Sequence, residues 1–353
     1  MALTARSDGV LRAATRGSAL ALWQTNYVAK LLTTAIVRRE TSPIVGTALT
    51  GGSAASVNPA SPAGPAVPQV EPLVVATTGD QQTNLPIADI GGKGVFVKEV
   101  QAAVLDGRAD FAVHSAKDLP SATPEGLVIA AVPPRADPRD VLVGCGLAEL
   151  RPEAVVATGS ARRKVQLKAI RPDLKFVELR GNIGTRLAKA KDCDAVVMAK
   201  AALDRLGETP SVLEVLSSEV MVPQVGQGAL AVECRADDEP LQKLLACIEE
   251  PYHRIEVDAE RAFLATLGGD CSLPAGAYAE LTATSSNQKG LEQDLELEMQ
   301  AILGDANGGA CYKVTGRIKA EEWWAMGELV LFGMKAEGLG RGLAEKLLQV
   351  VPQ

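Results

Sequence analysis

Residues 154–199 read AVVATGSARRKVQLKAIRPDLKFVELRGNIGTRLAKAKDCDAVVMA. Three runs rich in β-branched residues stand out, AVVAT (154–158), KFVEL (175–179) and DAVVMA (194–199), and helical patterns fill the intervals between them. Strand, helix, strand at this spacing predicts parallel α/β sheet, because parallel neighbours need a crossover long enough to hold a helix. Comparable runs at Leu73–Thr77 (LVVAT), Asp110–His114 (DFAVH) and Ala229–Glu233 (ALAVE) extend the pattern.

The chain has 353 residues, more than one core comfortably organises, so two or three domains are expected. With 47% hydrophobic and 22% charged residues it reads as soluble and globular. No run approaches the ~18 apolar residues of a membrane span, and no signal peptide is evident, so no membrane association is expected. A formal charge of −7 argues against a surface built to hold nucleic acid. The six cysteines lie far apart, form no C-x-x-C pair and have only two histidines to help, so no metal is expected and reduced, cytoplasmic thiols are the default.

Between Thr41 and Pro72 the sequence turns to Ala, Ser, Pro and Gly, the composition of a flexible insertion. Before it, Ser18 caps a helix whose Leu20, Trp23, Tyr27 and Leu31 fall on one face. Farther on, Ala259, Phe263, Leu264 and Leu267 form an apolar stripe that Gly268-Gly269 ends, which leaves Cys271 in a loop just past a helix. That cysteine is open to three readings: packing thiol, nucleophile or attachment point. Beyond Gly276, LELEMQAIL (295–303) and an amphipathic helix near Leu343–Val350 suggest a small α+β domain.

Chemistry gathers on the loops. Ala14-Thr15-Arg16-Gly17-Ser18, Ala76-Thr77-Thr78-Gly79-Asp80 and Ala157-Thr158-Gly159-Ser160 each follow a strand-like run, where helix N-termini offer N–H groups to anions. The same residues also cap and turn without any ligand. Arginines concentrate on such loops: Arg16, Arg162, Arg163, Arg180 and Arg186. Converging on one cleft, they would bind a polyanionic small molecule through bidentate guanidinium forks. Phe176 is the only aromatic between Ser160 and Arg186, which disfavours single-stranded nucleic acid. In HSAKDLP (114–120), Lys117 and Asp118 emerge at a strand end, either as a salt-bridged turn or as a carboxylate that holds a cation and relays protons. GGKGVF (91–96) fits neither the Walker spacing nor G-x-G-x-x-G.

Taken together, RGSALALWQT, GGKGVFVKE, VHSAKDLP, DPRD, GSARRKVQL, LRGNIGTRL, VGQGAL and ERAFLATLGGDC resemble, in order, the porphobilinogen deaminases, or hydroxymethylbilane synthases. The match runs from about Leu11 to Leu281. It implies three α/β domains, the first two like two-lobed periplasmic binding proteins of type II with the site between them. By motif position these are residues 1–133 plus 229–246, residues 139–222, and residues 251–353 for a small α+β domain carrying the cofactor cysteine.

The activity implied is the head-to-tail condensation of four porphobilinogen molecules into hydroxymethylbilane, with loss of ammonia. A covalently bound dipyrromethane serves as primer. The resemblance assigns Cys271 as its thioether attachment point and Asp118 as the catalytic aspartate, which assists ammonia loss and stabilises the cationic azafulvene. Because each porphobilinogen brings an acetate and a propionate, it also implies carboxylate-binding roles for Arg16, Arg162, Arg163, Arg180 and Arg186. Lys93, Ser18, Ser160, Arg205 and Lys117 are helpers, Gln24 and Gln227 make polar contacts, and Phe96 either stacks on a pyrrole or packs within its helix.

The sequence departs from the family in three places: Asp270 precedes the thiol, Ala157-Thr158-Gly159-Ser160-Ala161-Arg162-Arg163 stands where the family has GTSSLRR and keeps both arginines, and the 41–72 insertion is unusual. A monomer is expected. Two other classes remain open, a two-lobed anion binder without catalysis and a nucleic-acid module. A secreted binder would carry a signal peptide and need not keep both Asp118 and Cys271; the acidic balance opposes the module.

Overall fold

The computed structural model describes residues 9–41, 69–81, 94–269, 273–285, 293–305, 308–323 and 326–352. Lys93, Asp270, Cys271 and most of the expected insertion, residues 42–68, lie outside them.

Two five-stranded sheets share one plan. The first has the order β2 (Gln69–Val74), β1 (Val10–Thr15), β3 (Phe111–Ser115), β10 (Leu230–Arg235), β4 (Leu127–Ala131). The second has β7 (Lys175–Val177), β6 (Val155–Ala157), β8 (Ala195–Ala199), β5 (Asp140–Val143), β9 (Leu213–Val215). In each, the first three strands are parallel and the fourth runs antiparallel to its neighbours. The expected parallel pairing holds for those three strands of each sheet and is corrected for β5 and β10. β5 and β10 arrive directly from the opposite lobe, without the crossover helix that would set them parallel. Strands such as β8, buried along its whole length, are continuous apolar runs because both faces are covered.

The expected insertion also ends earlier than its composition suggests, since Gln69–Pro72 already belong to β2. Pro72 is tolerated there because β2 is an edge strand. Helix α1 (Ala19–Thr41) starts as expected, with Ser18 Oγ accepting from Ala21 N at 3.2 Å. Its buried face is rotated by one position: Gln24, Thr25, Val28 and Leu32 face the sheet, while Leu20, Trp23, Tyr27 and Leu31 are half-buried. The Trp23 and Tyr27 rings stack at 5.2 Å on a side of α1 that meets α6 (Lys200–Leu206) of the second lobe.

In the third unit, helices α8 (Pro251–Thr266) and α9 (Met326–Val350) pack on the antiparallel sheet β11 (Ala275–Ser285), β12 (Gln293–Gly304), β13 (Cys311–Trp323). Phe263, Leu297, Met299 and Phe332 form its core. Helix α9 begins well before the expected Leu343 because its glycines serve close packing: a Cβ on Gly340 would lie 2.1 Å from Ala259 O on α8.

Candidate functional site

The residues expected to act together come from strand ends of the first lobe. Arg16 and Ser18 follow β1, Gln24 lies on α1, Phe96 precedes α3 (Lys98–Leu105), and Asp118 ends the turn after β3. All five line one cleft, together with His114 and Ser115. Gln24 Nε2 donates to Ser115 Oγ at 2.8 Å, fixing the cleft wall.

Arg16 is held on two sides. Its Nε donates to Asp80 Oδ2 at 3.1 Å, its terminal nitrogen bonds the other Asp80 oxygen, and its guanidinium lies 4.2 Å over the Phe96 ring. Phe96 thus stacks on a cation among the described residues. The ring has room only because residue 79 is glycine, where a Cβ would meet Phe96 Cε1 at 2.2 Å. Burial raises the Asp80 pKa, but bonds from Arg16 and Thr77 outweigh it and hold the carboxyl below its usual range.

Behind Asp118 the two lobes exchange polar contacts. Lys117 Nζ donates to Gln227 Oε1 at 3.3 Å, and Gln227 Nε2 donates to Asp140 Oδ1 at 2.9 Å. Arg163 Nε and NH2 donate to the same oxygen at 3.1 and 2.7 Å, and Arg162 NH1 lies 2.8 Å from Oδ2. Ser160 caps α4 (Ala161–Ile170), accepting from Arg163 N at 3.4 Å.

Burial pushes the Lys117 amine down to about 8; Asp118 and Asp140 oppose that shift, while Arg163 and Arg186 add to it. Arg186 is itself lowered by burial and by Arg163 and Arg180, with Asp118 opposing. Lys117, Asp118, Arg163, Arg180 and Arg186 therefore share one electrostatic neighbourhood across the lobes.

Two expected anion binders stand elsewhere. Arg162 is 2% exposed; it donates to Val222 O and packs under Gly276, where a Cβ would meet its Cδ at 2.8 Å. It joins the second lobe to the third unit. Arg205 NH2 donates to Gly228 O at 2.6 Å, and its guanidinium lies 5.8 Å from the Trp23 ring centre, so it bridges the lobes. Burial lowers its pKa to about 10.

Sequence reasoning assigned no role to Asp80, Ser115, Asp140, Arg135, Glu256 or Glu260. Asp80, Ser115 and Asp140 lie inside motifs quoted above, and that membership is the available signal. Glu256 and Glu260 carried a weaker one, as acidic residues on the apolar side of α8, where a buried carboxylate demands a partner.

Lys93 and Cys271 are outside the described residues, but the flanks of the cysteine are placed. Gly268, at φ +66°, stops α8, and Gly269 lies beneath Leu273. Pro274 O accepts from Gly304 N at 2.9 Å, and Pro274 and Gly304 sit beside α4, where a Cβ on Gly304 would meet Val165 at 2.9 Å.

A fit to a polycarboxylate follows from charge. Lys117, Arg163 and Arg186 share the two nearby carboxylates Asp118 and Asp140 among the described residues. Such surplus buried positive charge suits a group bearing several carboxylates.

Comparison with known proteins bears on the same residues. Residues 11–243 match the family model of the porphobilinogen deaminase dipyromethane cofactor binding domain, and residues 254–349 match that of the porphobilinogen deaminase C-terminal domain. The chain is 41% identical over 278 residues to a porphobilinogen deaminase of Brevibacillus brevis, covering 77% of this chain and 86% of that one. It is 50% identical over 216 residues to that of Syntrophus aciditrophicus, covering 60% and 71%. Among solved structures, an amino acid ABC transporter substrate-binding protein from Streptococcus pneumoniae aligns over 69% of this chain and 88% of that one, at 16% identity and a TM-score of 0.36.

Proposed function

The chain belongs to the porphobilinogen deaminase family, and from that premise we propose how its own residues carry out the reaction. The enzyme is a transferase of tetrapyrrole biosynthesis that condenses four porphobilinogen molecules into hydroxymethylbilane with release of ammonia, using a dipyrromethane cofactor. Among the described residues no helix is long and apolar enough to cross a membrane. The two matching strand orders, each with one antiparallel return strand, support a two-lobed binding fold of type II. We propose domain limits near residues 133–139, 222–229 and 246–251, a reading supported by the chain's passages between sheets. We also propose that the protein is a cytoplasmic monomer.

The dipyrromethane supplies a primer to which new pyrroles are joined. On this proposal Cys271 carries it, and Lys117, Arg163, Arg180 and Arg186 hold its carboxylates, with Lys93 assisting. Arg16, fixed by Asp80 and Phe96, presents its remaining N–H edge to a substrate carboxylate beside Ser18 and Gln24. Arg162, Arg205, Gln227 and Ser160 hold the frame.

Among the described residues Asp118 is the one carboxylate lining the cleft, and that observation carries the residue-level reading. It bears the proton needed by the leaving amine, stabilises the positive charge that develops as ammonia departs, and accepts the proton lost when the next pyrrole carbon bonds. The test is consumption of porphobilinogen by cofactor-loaded protein, giving a product that yields uroporphyrin after acid and oxidation. Folded, loaded protein that consumes none would sink the proposal.

A further inference from the structure

A continuous polar chain crosses the lobe junction behind Asp118, and its centre is a carboxylate to which no role has been given. Asp140 stands at the start of β5, immediately after the chain enters the second lobe, and is 0% exposed. One of its oxygens accepts from Arg163 twice and from Gln227. Gln227, also 0% exposed, donates to Pro138 O at 2.7 Å and receives Lys117 Nζ from the first lobe. Asp140 itself is not among the residues that line the cleft.

We propose that Asp140 is a positioning residue for the reaction: a buried anion that, through Gln227, holds Lys117 of the first lobe and Arg163 of the second in one hydrogen-bonded frame beside Asp118. The inference rests on the roles given above to Lys117 and Asp118. Burial would raise the Asp140 pKa, but Arg162 and Arg163 hold the carboxyl well below the usual range, so it remains an anion. A lone buried arginine pair beside a buried lysine would repel; one shared carboxylate makes their approach tolerable.

Among the described residues the charges that act most on Lys117 are two anions, Asp118 and Asp140, and two cations, Arg163 and Arg186. Two uncharged side chains also bond it: Gln227, and Gln224, whose Nε2 donates to Lys117 O at 3.3 Å. Removing the Asp140 charge leaves one carboxylate against two guanidiniums, which favours the neutral amine. A purely structural Asp140 would lower stability without moving the Lys117 titration.

The test is amine labelling of the full-length protein across pH, with the Lys117 peptide quantified by mass spectrometry. The wild-type midpoint is expected near 8. In Asp140→Asn it falls by about one pH unit, and the alkaline limb of kcat/KM falls with it. An unchanged midpoint in folded Asp140→Asn overturns the proposal. Should that variant not fold, Gln227→Met is read the same way, since it cuts the link while leaving Asp140 and the arginines: a lower midpoint supports the frame, an unchanged one overturns it. Labelling does not depend on turnover. Failure of the wild type to consume porphobilinogen would therefore sink the functional reading and still leave the frame to be decided.

Discussion

Glu260 grips Arg135 with both oxygens: NH1 lies 2.8 Å from Oε1 and NH2 3.1 Å from Oε2. Arg135 sits on the passage between the first and second lobes, and Glu260 on α8 of the third unit. The same carboxylate accepts Gly226 N at 2.7 Å from the returning passage and Ala279 N at 3.0 Å from β11. One buried ion pair thus ties both lobe crossings to the unit that bears Cys271.

Breaking that pair from one side leaves an uncompensated buried charge. Arg135→Leu is expected to lower unfolding stability by about 3–5 kcal/mol. Denaturant melts check this, and a loss below about 1 kcal/mol, the scale of a surface pair, would contradict it.

Glu256, 3.6 Å from Arg135, gives the junction a pH dependence. Burial raises its pKa from 4.5 to about 7, with Leu281 N and Arg135 opposing. Between those values the folded state holds a proton that the unfolded state has lost, so stability falls as pH rises from about 4.5 to about 7. His253, whose pKa is lowered by burial, acts in the opposite sense below 6.5. Comparison with Glu256→Gln isolates the glutamate: the wild type should lose ground to the variant by up to ~1.4 kcal/mol per pH unit in that window. A pH-independent difference would contradict the assignment.

Gly79 is expected to matter through Phe96. Gly79→Ala pushes the ring from under Arg16, loosening a cation–π contact, so KM for porphobilinogen should rise by about three- to tenfold with kcat little changed. Steady-state kinetics decide this, and an unchanged KM would remove Phe96 and Arg16 from substrate binding.

Asp118→Ala removes the cleft's carboxylate. Turnover should fall by about 10²- to 10⁴-fold while the protein still folds and carries its adduct. Single-turnover ammonia release measures the loss, and near-normal release would contradict a catalytic role.

Much of this was legible in the chain. The strands DAVVMA and ALAVE, the cap at Ser18 and the stop at Gly268 are local events, and they appear within a residue or two of where the pattern put them. Five of the cleft's residues were named from motif position. The antiparallel returns of β5 and β10 were not legible, because direction depends on which lobe a strand comes from. Nor were the partners of Arg162, Arg163 and Arg205. An arginine in a loop motif looks the same whether it meets a ligand or a carboxylate such as Asp140, brought to it by the fold.

The central claim is that Cys271 carries the primer beside Asp118. Intact-mass analysis of the purified protein, followed by peptide mapping, tests it most directly. The account predicts a dipyrromethane-sized increment on the peptide containing Cys271, absent from Cys271→Ser. An increment that persists in Cys271→Ser, or maps to another cysteine, would contradict it.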